Sequence, residues 1–315
     1  MTLSFDQFKT RISHEILNYL PEDFQSAEVK ISTMQKLGDS YTALTLPRKN
    51  IDASPAINLE RYYDKYLFGR EIEELLTEMA DVFQTAKMDM SLDWIKDYAK
   101  VKDKLFIRVS NAERNMELLE HVPYKRVEDL AITCHVFLEN TDVSLCSTIV
   151  NNDLLSAFGI SKTQLFQDAV ENGEKLMPIT IQTMTELMEK SGISQSDEFS
   201  VKSKIPMYII SNSLSLNGAA SMFYPGVMDE ISERCNGDFY LIPSSIHEVL
   251  AVPATSDIDV EKLEQTIEFV NETQVYGPDQ LGNHLYRYDS KESVLEMVQT
   301  PSVIAETLSS PAFFM

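Results

Sequence analysis

The residue types best suited to chemistry crowd into one short stretch of this 315-residue chain. Ser244, Ser245, His247 and Glu248 lie together between two apolar runs. An imidazole beside a hydroxyl can take its proton and activate a serine as a nucleophile. This stretch is therefore a candidate hydrolase-like site. However, the glycines that let a nucleophile elbow turn sharply are missing around Pro243.

The apolar runs on either side of these residues predict a strand–turn–strand hairpin over residues 238–253, with residues 243–245 as the turn. A proline followed by two serines is typical of a turn whose hydroxyls bond local backbone groups. If the second strand is continuous, Ser245 and His247 share a face and Glu248 lies on the other. The pattern favours His247 as a half-buried, hydrogen-bonded strand residue over His247 as a catalytic base.

No metal or cofactor site is predicted. The pair His247-Glu248 suggests a zinc-binding helix, but the second histidine needed four residues later is Ala251. Walker, Rossmann and EF-hand patterns are also missing. The three cysteines form no CxxC pair and indicate reduced, buried thiols; they are Cys134, Cys146 and Cys235.

Two further polar residues lie within strand-like runs. Arg287 alternates with Asp289 in Tyr-Arg-Tyr-Asp, so the two side chains share a face and are expected to pair on the surface. The alternative is that Arg287 binds an acidic ligand. His135 lies in an apolar run and is expected to be a hydrogen-bonded core residue.

The composition is strongly acidic. There are 27 Lys and Arg against 49 Asp and Glu, for a net charge of −22. This balance opposes binding to nucleic acid and to anionic membranes, since both need clustered basic residues. No apolar run reaches the length of a membrane span, and no signal peptide is recognised. We therefore expect a cytoplasmic protein; a protein partner fits the charge, and the oligomeric state stays open.

The order of predicted elements indicates an α+β fold with mixed or antiparallel sheets and packed helices. Hairpins are expected from alternating segments at 28–46 and 130–149, and an amphipathic helix over 72–83. A third strand is expected at 57–63, and a helix at 179–190 directly after Pro178.

Two subdomains are expected, an N-terminal one over residues 1–100 and a larger one over 101–290. Residues 291–315 are expected to be a peripheral C-terminal segment. The most linker-like stretch is the serine-rich segment 192–203, which lacks hydrophobic periodicity.

Several segments carry a resemblance to a bacterial domain-of-unknown-function family found mainly in gut anaerobes. They are residues 46–47, 57–63, 218–220, 224–226, 238–250 and 286–289. The second half is also loosely similar in organisation to the uncharacterised family typified by the YtpQ protein. The resemblance implies a bacterial, cytoplasmic α+β protein and transfers no catalytic residue.

The leading hypothesis is a non-enzymatic binding or protein-interaction module, because no catalytic constellation is complete. The alternative is a hydrolase-like enzyme that uses Ser245, His247 and Glu248. A third interpretation, a nucleic-acid mimic that meets a basic partner, rests on the charge alone. The candidate binding residues are Ser244, Ser245, His247, Glu248 and Arg287.

Overall fold

A computed structural model of the chain describes residues 2–48, 55–85, 92–141, 144–190, 206–255 and 258–299. Helices and three antiparallel sheets confirm the predicted α+β class. The chain divides into two compact units, Met1–Asp97 (unit 1) and Tyr98–Met315 (unit 2). The predicted linker at 192–203 and residues 300–315 of the predicted peripheral segment lie outside the described residues. Within the described ranges, no helix is both long and apolar enough to cross a membrane.

Unit 1 packs helices against a small sheet with strand order β1-β2-β3. Its elements are α1 (Phe5–Glu15), β1 (Lys30–Lys36), β2 (Asp39–Thr45), β3 (Ile57–Asn58), α2 (Leu59–Leu67) and α3 (Ile72–Thr85), with 3₁₀ helices at Ile16–Tyr19, Glu22–Phe24 and Leu92–Lys96. Fully buried side chains of α1, β2 and α3 form one core, among them Phe8, Leu44 and Leu76. The predicted first hairpin and the helix over 72–83 are confirmed.

The strand predicted at 57–63 is wrong beyond Asn58. The Asn58 side chain accepts a hydrogen bond from the backbone N–H of Arg61 at 3.0 Å and so caps a helix. Leu59 and Tyr63 then lie four residues apart, on one helical face that packs into the unit 1 core. Helical packing and a cap therefore outweigh the strand preference of the tyrosines.

Unit 2 holds most of the secondary structure. Its helices are α4 (Tyr98–Val101), α5 (Met116–Leu119), α6 (Asn152–Phe158), α7 (Lys162–Leu176), α8 (Met184–Lys190), α9 (Val227–Cys235) and α10 (Val260–Thr273). Its strands are β4 (Leu105–Asn111), β5 (Tyr124–Val127), β6 (Leu130–Thr141), β7 (Ser144–Ile149), β8 (Ile179–Thr183), β9 (Tyr208–Asn212), β10 (Phe239–Ser245), β11 (Glu248–Pro253), β12 (Tyr286–Asp289) and β13 (Val294–Met297). Short 3₁₀ helices include Gly218–Phe223 and Gly277–Asp279.

The strands of unit 2 form two antiparallel sheets. One has six strands in the order β13-β12-β10-β11-β9-β8, so β8 and β13 are its edges. In the other, β6 pairs with β4, β5 and β7, which confirms the hairpin predicted at 130–149. Helix α7 packs on β4, and α10 packs on one face of β10 and β11. Helix α9 and the 3₁₀ helix at Gly218–Phe223 also pack against the six-stranded sheet.

The helix predicted over 179–190 is wrong in its first five positions, which form β8. The helix begins only after Thr183, because Thr183 caps it. The Thr183 backbone N–H donates to the Glu186 carboxylate at 2.6 Å, and the Glu186 N–H donates to Thr183 Oγ1 at 3.2 Å. The β-branched residues before this cap favour an extended strand.

Candidate functional site

The hairpin that carries the sequence-predicted residues is present, with a different turn. β10 and β11 pair antiparallel and end in the pair Ser245 and Glu248, so the turn is Ile246 and His247. The predicted turn at 243–245 is therefore wrong, and His247 is a turn residue instead of a strand residue. The register is irregular between Ile242 and Ser245, which lets Pro243 lie inside the strand.

The two serines of the hairpin bond within the hairpin. Ser245 Oγ accepts a hydrogen bond from the backbone N–H of His247 at 3.1 Å. Ser244 Oγ donates to Glu248 Oε1 at 3.4 Å. Ser244 and Glu248 therefore form one pair, and Ser245 serves the turn, as hydroxyls in turns often do.

His247 contacts three other parts of unit 2. Its Nδ1 atom accepts a hydrogen bond from the backbone N–H of Asn217 at 3.1 Å, and its backbone carbonyl accepts one from Ser211 Oγ at 2.8 Å. Its Nε2 atom lies 3.6 Å from Asp279 Oδ1. In a neutral imidazole only one nitrogen carries hydrogen, so the acceptor role of Nδ1 places the proton on Nε2. The His247 side chain is 34% exposed.

This geometry gives the hairpin a positioning role. A general base needs an acceptor nitrogen within reach of the nucleophile, and the acceptor nitrogen of His247 is already bonded to Asn217. The loop at Gly277–Asp279 is also tied to the hairpin, since the Ile246 N–H donates to the Asp279 carbonyl at 2.8 Å. The polar residues of the turn thus hold three segments together.

Gly218 allows the backbone before the 3₁₀ helix to lie close to both β9 and the hairpin turn. A Cβ atom at this position would lie 2.5 Å from the His247 carbonyl oxygen and 2.8 Å from the Asn212 nitrogen. Both are backbone atoms that cannot turn away, so only glycine fits between β9 and the hairpin turn.

Arg287 lies apart from the hairpin turn, on β12. It pairs with Asp238 at 2.5 Å and not with Asp289, the partner expected from the sequence. Asp289 accepts backbone N–H bonds from Lys291 and Glu292 instead. Arg287 therefore makes a surface ion pair and joins no site with Ser244, Ser245, His247 or Glu248.

A second polar cluster lies on the β4/β6 sheet. Arg108 and Ser110 are two residues apart on β4, so their side chains leave the same face. The register pairs Arg108 with Thr133 and Phe106 with His135, which puts Thr133 and His135 on that face too. Three enclosed polar atoms of this cluster have no hydrogen-bond partner among the described residues: Arg108 Nε, Ser110 Oγ and His135 Nδ1. We call Arg108, Ser110, Thr133 and His135 the β4/β6 polar cluster.

Arg108 is the charged centre of the β4/β6 polar cluster. Its guanidinium makes no hydrogen bond or ion pair with any described residue, and burial lowers its pKa to about 10. The carboxylate of Asp279 partly opposes this lowering from a distance beyond ion-pair contact. Asp279 thus faces both Arg108 and His247 and links the hairpin to the β4/β6 polar cluster.

His135 is buried as predicted, with 3% of its surface exposed, but it is only half satisfied. Its Nε2 atom lies 3.1 Å from Thr133 Oγ1, while Nδ1 has no partner in the described structure. Burial, followed by the charge of Arg108, lowers its pKa well below the usual value. His135 is therefore a neutral imidazole in the folded protein.

The sequence did not predict the β4/β6 polar cluster. Its signal was a single arginine inside the apolar run Leu-Phe-Ile-Arg-Val that forms β4. A charged residue in a buried-strand pattern is rare unless it is paired. Ser110, two positions further, shows no pattern of its own.

The described residues contain no group of three His, Cys, Asp or Glu side chains arranged to hold a metal ion. Cys134 and Cys235 are buried free thiols, as expected. Burial raises the pKa of both, to about 11 for Cys235. The side chain of Cys146 lies outside the described residues.

Neither the curated proteins nor the solved structures contain a significant match to this chain. A family of unknown function, DUF5688, matches residues 5–290, well over half of the chain. The resemblance to a family of unknown function is thereby confirmed. The chain belongs to the DUF5688 family.

Proposed function

We propose that this chain is a non-enzymatic binding protein that holds an anionic group of a small ligand at Arg108. The observation that carries the proposal is the half-buried Arg108 side chain, whose Nε atom is enclosed and whose guanidinium has no hydrogen-bond partner among the described residues. A guanidinium has five N–H donors in a planar fork that fits carboxylate and phosphate oxygens. Leaving a partly buried guanidinium unpaired is costly, and an oxyanion removes that cost.

The rest of the β4/β6 polar cluster supports an oxyanion ligand. Ser110 Oγ and His135 Nδ1 are enclosed and unpartnered on the same sheet face as Arg108. A serine hydroxyl can donate to an anion, and a neutral imidazole can donate through Nδ1 in the tautomer whose Nε2 accepts from Thr133. One cation and two neutral donors thus lie on one sheet face, and no described carboxylate is in contact with Arg108.

The hairpin supports binding over catalysis. His247 Nδ1 accepts a hydrogen bond from the Asn217 amide, so this nitrogen is not available as the base for Ser245. A nucleophile and base must share a hydrogen bond for a hydrolase of this kind.

Chemical unfolding in the presence of defined anions tests the proposal. Inorganic phosphate and succinate are the phosphate and carboxylate probes, and glycerol is the neutral control. A ligand present at 100 times its Kd adds about 2.7 kcal/mol to the free energy of unfolding. Stabilisation by one anion is expected in wild type and is expected to be lost in Arg108→Met, which keeps the aliphatic stem. Arg287→Met is the matched control and should keep the effect.

Equal stabilisation of wild type and Arg108→Met would overturn the Arg108 site. Failure of both anions to stabilise wild type more than glycerol does would also overturn it. Saturable turnover of a small metabolite that His247→Ala abolishes would overturn the non-enzymatic assignment.

A further inference from the structure

The outer edge of the six-stranded sheet offers a second surface, separate from the β4/β6 polar cluster. Strand β8 (Ile179–Thr183) lies at this edge and, among the strands that the structure describes, pairs only with β9. An edge strand presents backbone N–H and C=O groups that another chain can pair with. Proteins normally block such edges, so the state of the groups on β8 decides whether it can accept a partner.

The hydrogen bonds at the two ends of β8 fix which residues face outward. The Pro178 carbonyl accepts from the Ser213 N–H at 2.8 Å, and the Met184 N–H donates to the Met207 carbonyl at 3.1 Å. In an antiparallel ladder, alternate residues direct both backbone groups to the same side. Even-numbered positions therefore bond β9, and Ile179, Ile181 and Thr183 direct their backbone groups outward.

Two of the outward backbone groups already form hydrogen bonds within the chain. The Thr183 N–H donates to Glu186, and the Ile181 carbonyl accepts a long hydrogen bond of 3.4 Å from Arg234. Among the described residues, no partner bonds the outward N–H and C=O of Ile179 or the N–H of Ile181. The free groups are a donor, an acceptor and a second donor, which suffices for one short added strand.

A cleft of about 610 Å³ lies beside this edge. Its apolar wall includes Ile179, Ile181 and Pro225, and its charged wall includes Glu174, Glu230 and Arg234. Glu230 already pairs with Arg234 at 2.5 Å. Within the described structure, Glu174 makes neither a hydrogen bond nor an ion pair.

These features point to one kind of occupant. A lysine or arginine has an aliphatic stem that packs on apolar side chains and a cation that remains at the polar rim. The unpaired Glu174 carboxylate at the rim and the net charge of −22 both favour a cation. We propose that β8 is a docking edge for an extended segment of a partner protein that pairs with Ile179 and Ile181 and places a basic side chain in the cleft beside Glu174.

Fluorescence anisotropy with two labelled hexapeptides tests this surface on the full chain. One peptide alternates valine with lysine, and the other alternates valine with glutamate. The lysine peptide is expected to bind, with the glutamate peptide at least about tenfold weaker because like charges repel. Glu174→Lys should weaken binding of the lysine peptide by about tenfold or more. Glu268→Lys, at an exposed position of α10, makes the same charge change outside the cleft and should have little effect.

Ile181→Pro tests the strand pairing itself. The outward N–H of Ile181 bonds nothing in β9, so proline removes a docking group and leaves the native ladder intact. Loss of peptide binding is expected, with the unfolding midpoint showing whether the variant folds. Glu174→Lys keeps the test valid if Ile181→Pro does not fold.

Three results would overturn the proposal. One is no binding of the lysine peptide by wild type. Another is equal binding by wild type, Glu174→Lys and a folded Ile181→Pro. The third is a wild-type dimer in sedimentation that Ile181→Pro dissociates, because β8 would then pair with a second copy of the chain. None of these measurements depends on Arg108, so this proposal and the proposed function fail separately.

Discussion

The Nδ1 atom of His247 accepts a hydrogen bond from the backbone N–H of Asn217, 30 residues earlier in the chain, at 3.1 Å. This contact joins the β10–β11 turn to the segment that opens the 3₁₀ helix at Gly218–Phe223. It also fixes the proton of the neutral ring on Nε2, which faces Asp279. His247 therefore holds these two loops in place.

Replacing His247 should reveal this positioning role. His247→Ala leaves the Asn217 N–H without its acceptor and is expected to lower the free energy of unfolding by about 1–3 kcal/mol. The Oδ1 atom of asparagine can occupy the position of Nδ1, so His247→Asn should recover much of the loss. Urea unfolding of the two variants measures this difference. An equal loss in both would contradict the role of the Nδ1 hydrogen bond.

Gly218 should tolerate no side chain. In Gly218→Ala the new methyl group meets the backbone of His247 and Asn212, and overpacking of this kind costs about 1–3 kcal/mol. Gly277→Ala is the matched control, because a Cβ atom there has no neighbour within 4 Å. The two midpoints of thermal unfolding give the comparison; a Gly218→Ala variant as stable as Gly277→Ala would refute the close approach.

Asp238 should make the free energy of unfolding depend on pH in the acidic range. The backbone N–H and the hydroxyl of Ser290, followed by Arg287, lower the pKa of Asp238 from 3.8 to about 2. A carboxylate whose pKa is lowered by folding stabilises the protein above its unfolded pKa, and this contribution is lost as the pH falls below it. Wild type should therefore lose stability more steeply than Asp238→Asn between pH 4 and pH 2.

Urea unfolding at a series of pH values measures this slope. Glu117→Gln, at an exposed position of α5, removes one carboxylate as a control and should keep the wild-type slope. Parallel curves for wild type and Asp238→Asn would show that the Ser290 hydrogen bonds do not favour the charged form.

Arg108 should lower the free energy of unfolding of the protein when no anion is bound. Holding a partly buried charge without a partner costs free energy, and an apolar residue of similar length removes that cost. Arg108→Met is accordingly expected to unfold at the same or a higher urea concentration than wild type when no anion is added. A clearly lower midpoint would mean that Arg108 is a structural residue with protein partners.

Local patterns in the sequence predicted many of the elements. The hairpins at β1–β2, β6–β7 and β10–β11 follow from alternation of apolar and polar residues, and α3 follows from helical periodicity. The errors arose where two local signals compete. Pro178 and Thr183 can each begin a helix, and the side-chain cap at Thr183 decided the boundary.

The candidate site was predicted less completely because its contacts are long-range. The four polar residues of the hairpin were identified from sequence proximity alone, but Ser244 bonds Glu248, and His247 bonds Asn217. Nothing near His247 in the sequence indicates which of its two ring nitrogens accepts a hydrogen bond.

The sequence alone determined the charge, most of the hairpins and the grouping of polar residues around the turn between β10 and β11. Each of these depends on composition or on neighbours a few residues apart. The tertiary structure alone decided that Arg108 Nε, Ser110 Oγ and His135 Nδ1 lie on one sheet face with no partner in the described part of the chain. The reason is physical: strand register sets which distant side chains meet, and burial decides which of them lose the water that would otherwise satisfy them.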